Sequence, residues 1–210
     1  MRFADRAEAG RLLAERLGHL RGETTAVLGI PRGGVEVAVE VADALDAPLD
    51  VVVPRKVGAP GNPELALGAI APGVRVLDER LITMLGVRAE YLDTEIAAQE
   101  REIERRTEAY RGGRPPLELA GAIAIVVDDG VATGSTIIAA ARWVRAKGAA
   151  RTVIAVPVGP VESIRRLTRE ADEVVFVDTP EPFYAVGQWY ERFDQLSDED
   201  VIRLLRTART

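Results

Sequence analysis

The chain has 210 residues, 47% of them hydrophobic and 29% charged, with a net charge of −6; this is an ordinary globular composition, long enough for a sizeable core. It has no cysteine and one histidine, His19, which excludes disulfides, thiol nucleophiles, Cys-ligated metals and His-cluster sites. Interleaved charges of net negative sign argue against a nucleic-acid face, no apolar run approaches the ~20 residues of a membrane span, and the charged start Met1–Arg6 is unlike a signal peptide, so the expected location is cytoplasmic.

In chain order, residues 4–18 read as an amphipathic helix with Leu12, Leu13 and Leu17 on one face. His19 follows Gly18 at its end, where a contact with the helix C-terminus is the expected role. Thr24–Leu28 reads as a strand and Gly33–Leu45 as a helix; Leu49–Val53 is a second strand, stopped by Pro54. Residues 55–63, with Gly58, Pro60, Gly61 and Pro63, are expected to form a loop without regular structure. Leu65–Ile70 and Val74–Leu77 read as a strand pair around Ala71-Pro-Gly73.

Residues 88–111 form the most polar helical stretch, with Leu92, Ile96, Ile103 and Tyr110 as a narrow apolar stripe. Such a stripe packs either on its own domain or on a second subunit in a homodimer. After the breaker Gly112–Pro116 comes Ile123–Val127, a wholly apolar strand of the kind buried on both faces. A helix over Ser135–Lys147, a strand over Thr152–Val158, a helix over Val161–Glu170 and a strand over Val174–Val177 follow. A last helix, Asp198–Arg206, has Ser197 as its cap. Strand–helix alternation predicts an α/β fold: a doubly wound central parallel sheet flanked by helices. The expected organisation is a single domain over 1–210, with a core over about 20–158, a helical insertion over about 88–111, and a small C-terminal hood over about 159–210.

The most informative segment is Ile125-Val-Val-Asp-Asp-Gly-Val-Ala-Thr-Gly-Ser-Thr136. The apolar strand delivers Asp128 and Asp129 to its carboxyl end, where ligands bind in open α/β sheets. Gly130 and Gly134 let backbone approach a ligand closely. Thr133, Ser135 and Thr136 supply hydroxyls, and the helix N-terminus supplies unpaired N–H groups, together a cradle for one phosphate. Two carboxylates beside that cradle suit a polyol or a phosphate-bound Mg²⁺. The local chemistry therefore points to a sugar phosphate. The loop has no lysine for a Walker-type P-loop, no G-x-G-x-x-G, and no G-x-S-x-G around Ser135.

Ile125–Ile137 resembles the phosphoribosyl-pyrophosphate (PRPP) motif of type I phosphoribosyltransferases: an apolar run, two acids, a short linker, then Thr-Gly with small hydroxyl residues. The resemblance implies that Asp128 and Asp129 contact the ribose 2′- and 3′-hydroxyls, and that Gly130 and Ala132–Thr136 hold the 5′-phosphate. Gly29-Ile-Pro-Arg-Gly-Gly34 lies where the family has its pyrophosphate loop, assigning that role to Pro31, Arg32, Gly33 and Gly34. Arg55-Lys56, with the segment to Glu64, resembles the mobile loop that closes over the reacting centre, with the two cations as catalytic residues. Glu64 either contacts the acceptor base or lies in solvent, and solvent is the expected place.

The implied activity is transfer of the phosphoribosyl group from PRPP to a nitrogen of a base-like acceptor, with pyrophosphate released. Mg²⁺ is the implied cofactor, held mainly by PRPP and water with no direct side-chain ligand. Hypoxanthine-guanine members carry an acid where this chain has Ala132, which argues against that acceptor class. Five aromatic residues crowd into 183–193, to stack on a flat acceptor or to form a satellite core. Trp143 is expected in the core. The alternative reading is a regulatory protein of the same fold that senses PRPP or a nucleotide without turnover. A phosphate-ester hydrolase fits less well, because its aspartates are usually spaced by one residue.

Overall fold

A computed structural model describes residues 1–208. Five parallel strands form the main sheet: β1 (Thr25–Gly29), β2 (Leu49–Val51), β6 (Ile123–Val127), β7 (Arg151–Val158) and β8 (Glu173–Asp178), in the order β2-β1-β6-β7-β8. Apolar residues run continuously along β6 because both of its faces are covered. Ile125 and Val127 pack with α1 (Arg6–Arg16) and α2 (Gly33–Leu45). Ala124 and Val126 pack with α5 (Ser135–Ala146) and α6 (Val161–Leu167). This is the expected doubly wound sheet. It extends past residue 158, the expected limit of the core, since α6 and β8 belong to it.

The strand order reverses between β1 and β6, where a crevice opens beyond the carboxyl ends of the strands. The loops after both strands, Ile30–Arg32 and Asp128–Gly134, therefore face each other. α2 begins at Gly33 as expected and ends at Asp46, in the left-handed region with φ 57°. Its buried residues Val35, Ala38, Val41, Ala42 and Leu45 recur at helical spacing.

Residues 55–63 depart from expectation. They form β3 (Arg55–Ala59) and the start of β4 (Asn62–Ala71), an antiparallel hairpin extended by β5 (Val74–Leu77). Pro60-Gly61 is its two-residue turn, since Ala59 pairs with Asn62 and Gly61 has φ 73°. Proline followed by a positive-φ glycine is turn chemistry; the same residues that suggest an irregular loop close the hairpin. A register shift around Gly58 absorbs the remaining irregularity.

This small sheet lies between α5 and α4 (Ala89–Arg111). Ile96, Ile103 and Tyr110, seven residues apart, are buried in the chain's own core, with Leu92 packed against it. The stripe thus packs on its own body. Tyr110 donates to Asp198 at 2.7 Å, at the start of α7 (Asp198–Thr207), and Arg111 pairs with buried Asp50 at 3.0 Å. Ser197 caps α7 as expected, accepting from the Asp200 N–H at 3.1 Å. A short helix, α3 (Glu79–Met84), capped by Asp78, has no counterpart among the elements expected from the sequence. No helix among the described residues is long and apolar enough to cross a membrane.

Candidate functional site

A cleft of about 560 Å³ opens at the switch point. On one wall are Pro31, Arg32 and Gly33; on the floor Asp128, Asp129 and Gly130; beyond them Ala132, Thr133, Gly134 and Thr136; and opposite, on the hairpin, Arg55 and Lys56. Twelve of the fourteen sequence-predicted site residues thus meet in one space. Ser135 opens α5 just outside the lining, and Gly34 lies behind Gly33. A larger cavity of about 730 Å³ between α4 and α5 carries none of them.

Two glycines set how closely the walls approach. A Cβ on Gly34 would stand 2.8 Å from the Asp128 Cα and 2.8 Å from the Val127 carbonyl oxygen; one on Gly33 would stand 1.9 Å from the Asp129 carboxylate. The loop after β1 is therefore pressed onto the acid pair without room for any side chain. Gly134, with φ 84°, turns the chain into α5. From α6, the Ser163 hydroxyl holds the Ala132 carbonyl and Arg166 holds that of Thr133 at 2.9 Å. With the Ala132 and Thr133 carbonyls tied to α6, residues 132–134 can present N–H groups to an anion.

The acids have unequal surroundings. Asp128 accepts the Asp129 N–H at 2.9 Å. Burial, and then the neighbouring Asp129 charge, push its carboxyl well above the usual carboxylate range. Asp129 is also raised by burial, but Arg6 opposes the shift: its Nε donates to Asp129 Oδ2 at 2.8 Å. The Asp129 side chain keeps 16% of its surface exposed, so its desolvation is partial. The Tyr190 hydroxyl donates to the Asp129 carbonyl at 2.5 Å. Arg6 and Tyr190 escape a reading of the sequence. The available signal is an arginine at the start of an otherwise amphipathic helix, and it does not name a partner 123 positions away.

The hairpin's two cations point differently, as neighbours on a strand must. Arg55 Nε donates to Gln99 Oε1 on α4 at 2.9 Å, and burial with the nearby Arg106 pushes its pKa down. Lys56 is exposed and bears electrostatically on Asp128. Glu64 is exposed yet lines the cleft, with Glu95 and Gln99. Among the described residues no aromatic ring does. Phe3, Tyr190, Phe183 and Trp189 build a satellite core instead, with Phe183 and Trp189 stacked at 6.2 Å. Trp143 is buried as expected. His19, at the surface beside Glu173, takes no part in the cleft.

Among the described residues no group of three or more acids or imidazoles could by itself hold a metal. The donor set suits a Mg²⁺ ion that arrives on a polyphosphate and keeps its waters.

A family model for the phosphoribosyl transferase domain matches residues 4–195. Two curated relatives from Mycobacterium tuberculosis, strains CDC 1551 / Oshkosh and ATCC 25618 / H37Rv, both provisionally named phosphoribosyl transferases, are 50% identical over 98% of this chain and 47% of their own length. The chain spans about half the length of the curated relatives it matches. The crystal structure of TT1426 from Thermus thermophilus is 46% identical, covers 100% of both chains, and superposes with a TM-score of 0.84. A hypothetical protein from Neisseria gonorrhoeae with bound ppGpp covers 98% of this chain and 97% of its own at 15% identity and a TM-score of 0.51, a likeness of fold alone.

Proposed function

The chain belongs to the phosphoribosyl transferase domain family, and from that premise we propose that it transfers the 5-phosphoribosyl group of PRPP to a nitrogen of a base-like acceptor, releasing pyrophosphate. The observation that carries this reading is the meeting of two anion-suited loops across one acid pair. Ala132–Thr136 takes the 5′-phosphate on backbone N–H groups and hydroxyls. Pro31–Gly34, with the Arg32 guanidinium, takes the pyrophosphate. Asp128 and Asp129 accept hydrogen bonds from the ribose hydroxyls, which fixes the ring between the two anions.

The bond from ribose C1 to the pyrophosphate oxygen breaks with its electron pair leaving on oxygen. The acceptor nitrogen supplies the pair for the new C1–N bond and gives up its proton to the departing pyrophosphate or to water. Positive charge builds on the ribose as this happens, and the carboxylates beside it favour that charge. A Mg²⁺ ion carried in on PRPP would supply further charge neutralisation for the leaving group. Lys56 and Arg32 offset it from the protein side. Arg55 keeps Gln99 and the α4 wall in place against the hairpin, and so shapes the acceptor side of the cleft. No protein nucleophile is used.

Calorimetry with PRPP and Mg²⁺ tests the site. The Asp128→Asn/Asp129→Asn double variant should fold and lose binding, and unchanged affinity would sink the assignment. A screen of purines, pyrimidines and related amines for pyrophosphate release tests the transfer. Silence across that panel with PRPP binding retained would favour a sensor over an enzyme.

A further inference from the structure

We infer that Arg6 is a positioning residue that divides the labour of the acid pair: it holds Asp129 as a fixed carboxylate and leaves Asp128 as the acid that exchanges its surroundings for the incoming ligand. The inference rests on the proposed PRPP site for the ligand's identity, but its physical basis is the ligand-free geometry.

Arg6 is the first residue of α1 and is only 7% exposed, rare for an arginine. Its guanidinium is engaged in several directions. Nε donates to Asp129 Oδ2 at 2.8 Å, Nη1 donates to the Asp194 carbonyl at 2.9 Å, and Nη1 lies 3.8 Å from Glu36. The Phe193 ring covers the guanidinium face with its centroid 4.0 Å away. A Cβ on Gly33 would fall 2.7 Å from Arg6 Nε, so the pyrophosphate loop packs directly on the ion pair. With the Tyr190 hydroxyl on its carbonyl, Asp129 is pinned at both ends.

Asp128 has no comparable partner. Its carboxylate accepts one backbone N–H, and among the described residues no cation is paired with it; Lys56 acts on it from across the cleft. A ligand that brings hydroxyl donors and cations therefore gains most at Asp128, whereas Asp129 enters binding with Oδ2 already occupied. The charged and titratable groups that bear on Asp129 are Arg6 on α1, Glu36 on α2, Asp128 beside it and Tyr190 on the C-terminal segment; Asp5, which caps α1, and Asp194 bear on Glu36, and Lys56 on Asp128. Of these, Arg6 is the cation in contact.

The first test needs neither a variant nor a ligand. In a carboxyl ¹³C titration of the wild-type protein, Asp129 should ionise at lower pH than Asp128. Equal or reversed order would overturn the inference. In Arg6→Gln the Asp129 transition should move upward, and PRPP affinity should fall about tenfold at pH 6 and less at pH 8, where the carboxylate reforms. Arg6→Lys should keep the wild-type order of ionisation. In the Asp129→Asn background Arg6→Gln should cost little further affinity, because it acts through a carboxylate already removed. Additive losses, or a pH profile unmoved by Arg6→Gln, would make Arg6 a merely structural residue. If the wild-type protein does not bind PRPP, the functional reading fails, while the order of ionisation still decides the role of Arg6.

Discussion

The half of the cleft proposed to take the phosphate is one continuous segment, Ala132–Thr136, turned by Gly134 and steadied from a neighbouring helix by Ser163 and Arg166. The acid half is assembled from distant pieces: a strand end, the first residue of α1, two loop glycines and the segment 190–194. The first kind of site needs few long-range contacts, because backbone N–H groups at a helix start bind anions wherever the loop can form. The second concentrates two carboxylates in one place, and it stays folded only because an arginine and close packing surround them. The phosphate half should therefore tolerate loss of a supporting contact, and the acid half should not.

The strongest way to break that contrast is Gly34→Ala. The added Cβ meets backbone of Val127 and Asp128 at 2.8 Å, which cannot yield as a side-chain end can. We expect a loss of about 2–3 kcal/mol in urea denaturation, with PRPP binding abolished; a loss below about 0.5 kcal/mol would show that the acid half can give. Asp128→Asn should act in the opposite direction on stability. An acid whose folded pKa lies above its unfolded value binds more protons when folded, so it costs stability as pH rises from the ordinary carboxylate range through the raised value. At pH 8 the variant should melt a few degrees higher than wild type while binding PRPP poorly. A lower melting temperature there would contradict the raised pKa.

Tyr190→Phe sharpens the contrast at one hydrogen bond. Burial pushes the Tyr190 hydroxyl far above its ordinary pKa, so it remains a donor at working pH. Its loss should cost about 1 kcal/mol in denaturation and weaken PRPP severalfold. Ser163→Ala, the matching deletion in the phosphate half, should cost about 0.5 kcal/mol and weaken ribose 5-phosphate by about twofold or less, measured by calorimetry. A larger effect than Tyr190→Phe would reverse the ranking of the two halves.

How legible each half is in the sequence follows from the same difference. Asp128–Thr136 carries its acids, glycines and hydroxyls at short fixed spacings, so strand, turn and helix start can be read together. The α2 boundaries and the Ser197 cap are legible for the same local reason. Arg6 and Tyr190 stand 123 and 61 positions from Asp129, and nothing local to either names the partner. The hairpin at 55–71 is not legible as such, because Pro60-Gly61 is equally consistent with an open loop and a tight turn. Its pairing with β5 and its place between α4 and α5 decide the matter. The aromatic run at 183–193 is legible as a cluster, but its destination depends on Phe3, at the other end of the chain.

Phe3 pairs with Tyr190 as an isolated parallel bridge, and the Phe3 N–H donates to the Trp189 carbonyl at 2.8 Å while the Glu191 N–H donates to that of Phe3, also at 2.8 Å. The first residues and segment 189–192 therefore open together or stay closed together, as one unit of local unfolding. Since Arg6 and Tyr190 both belong to that unit, Asp129 should lose its two clasps together. Fraying at the amino end and release at residue 190 should then be a single event in the breathing of this protein.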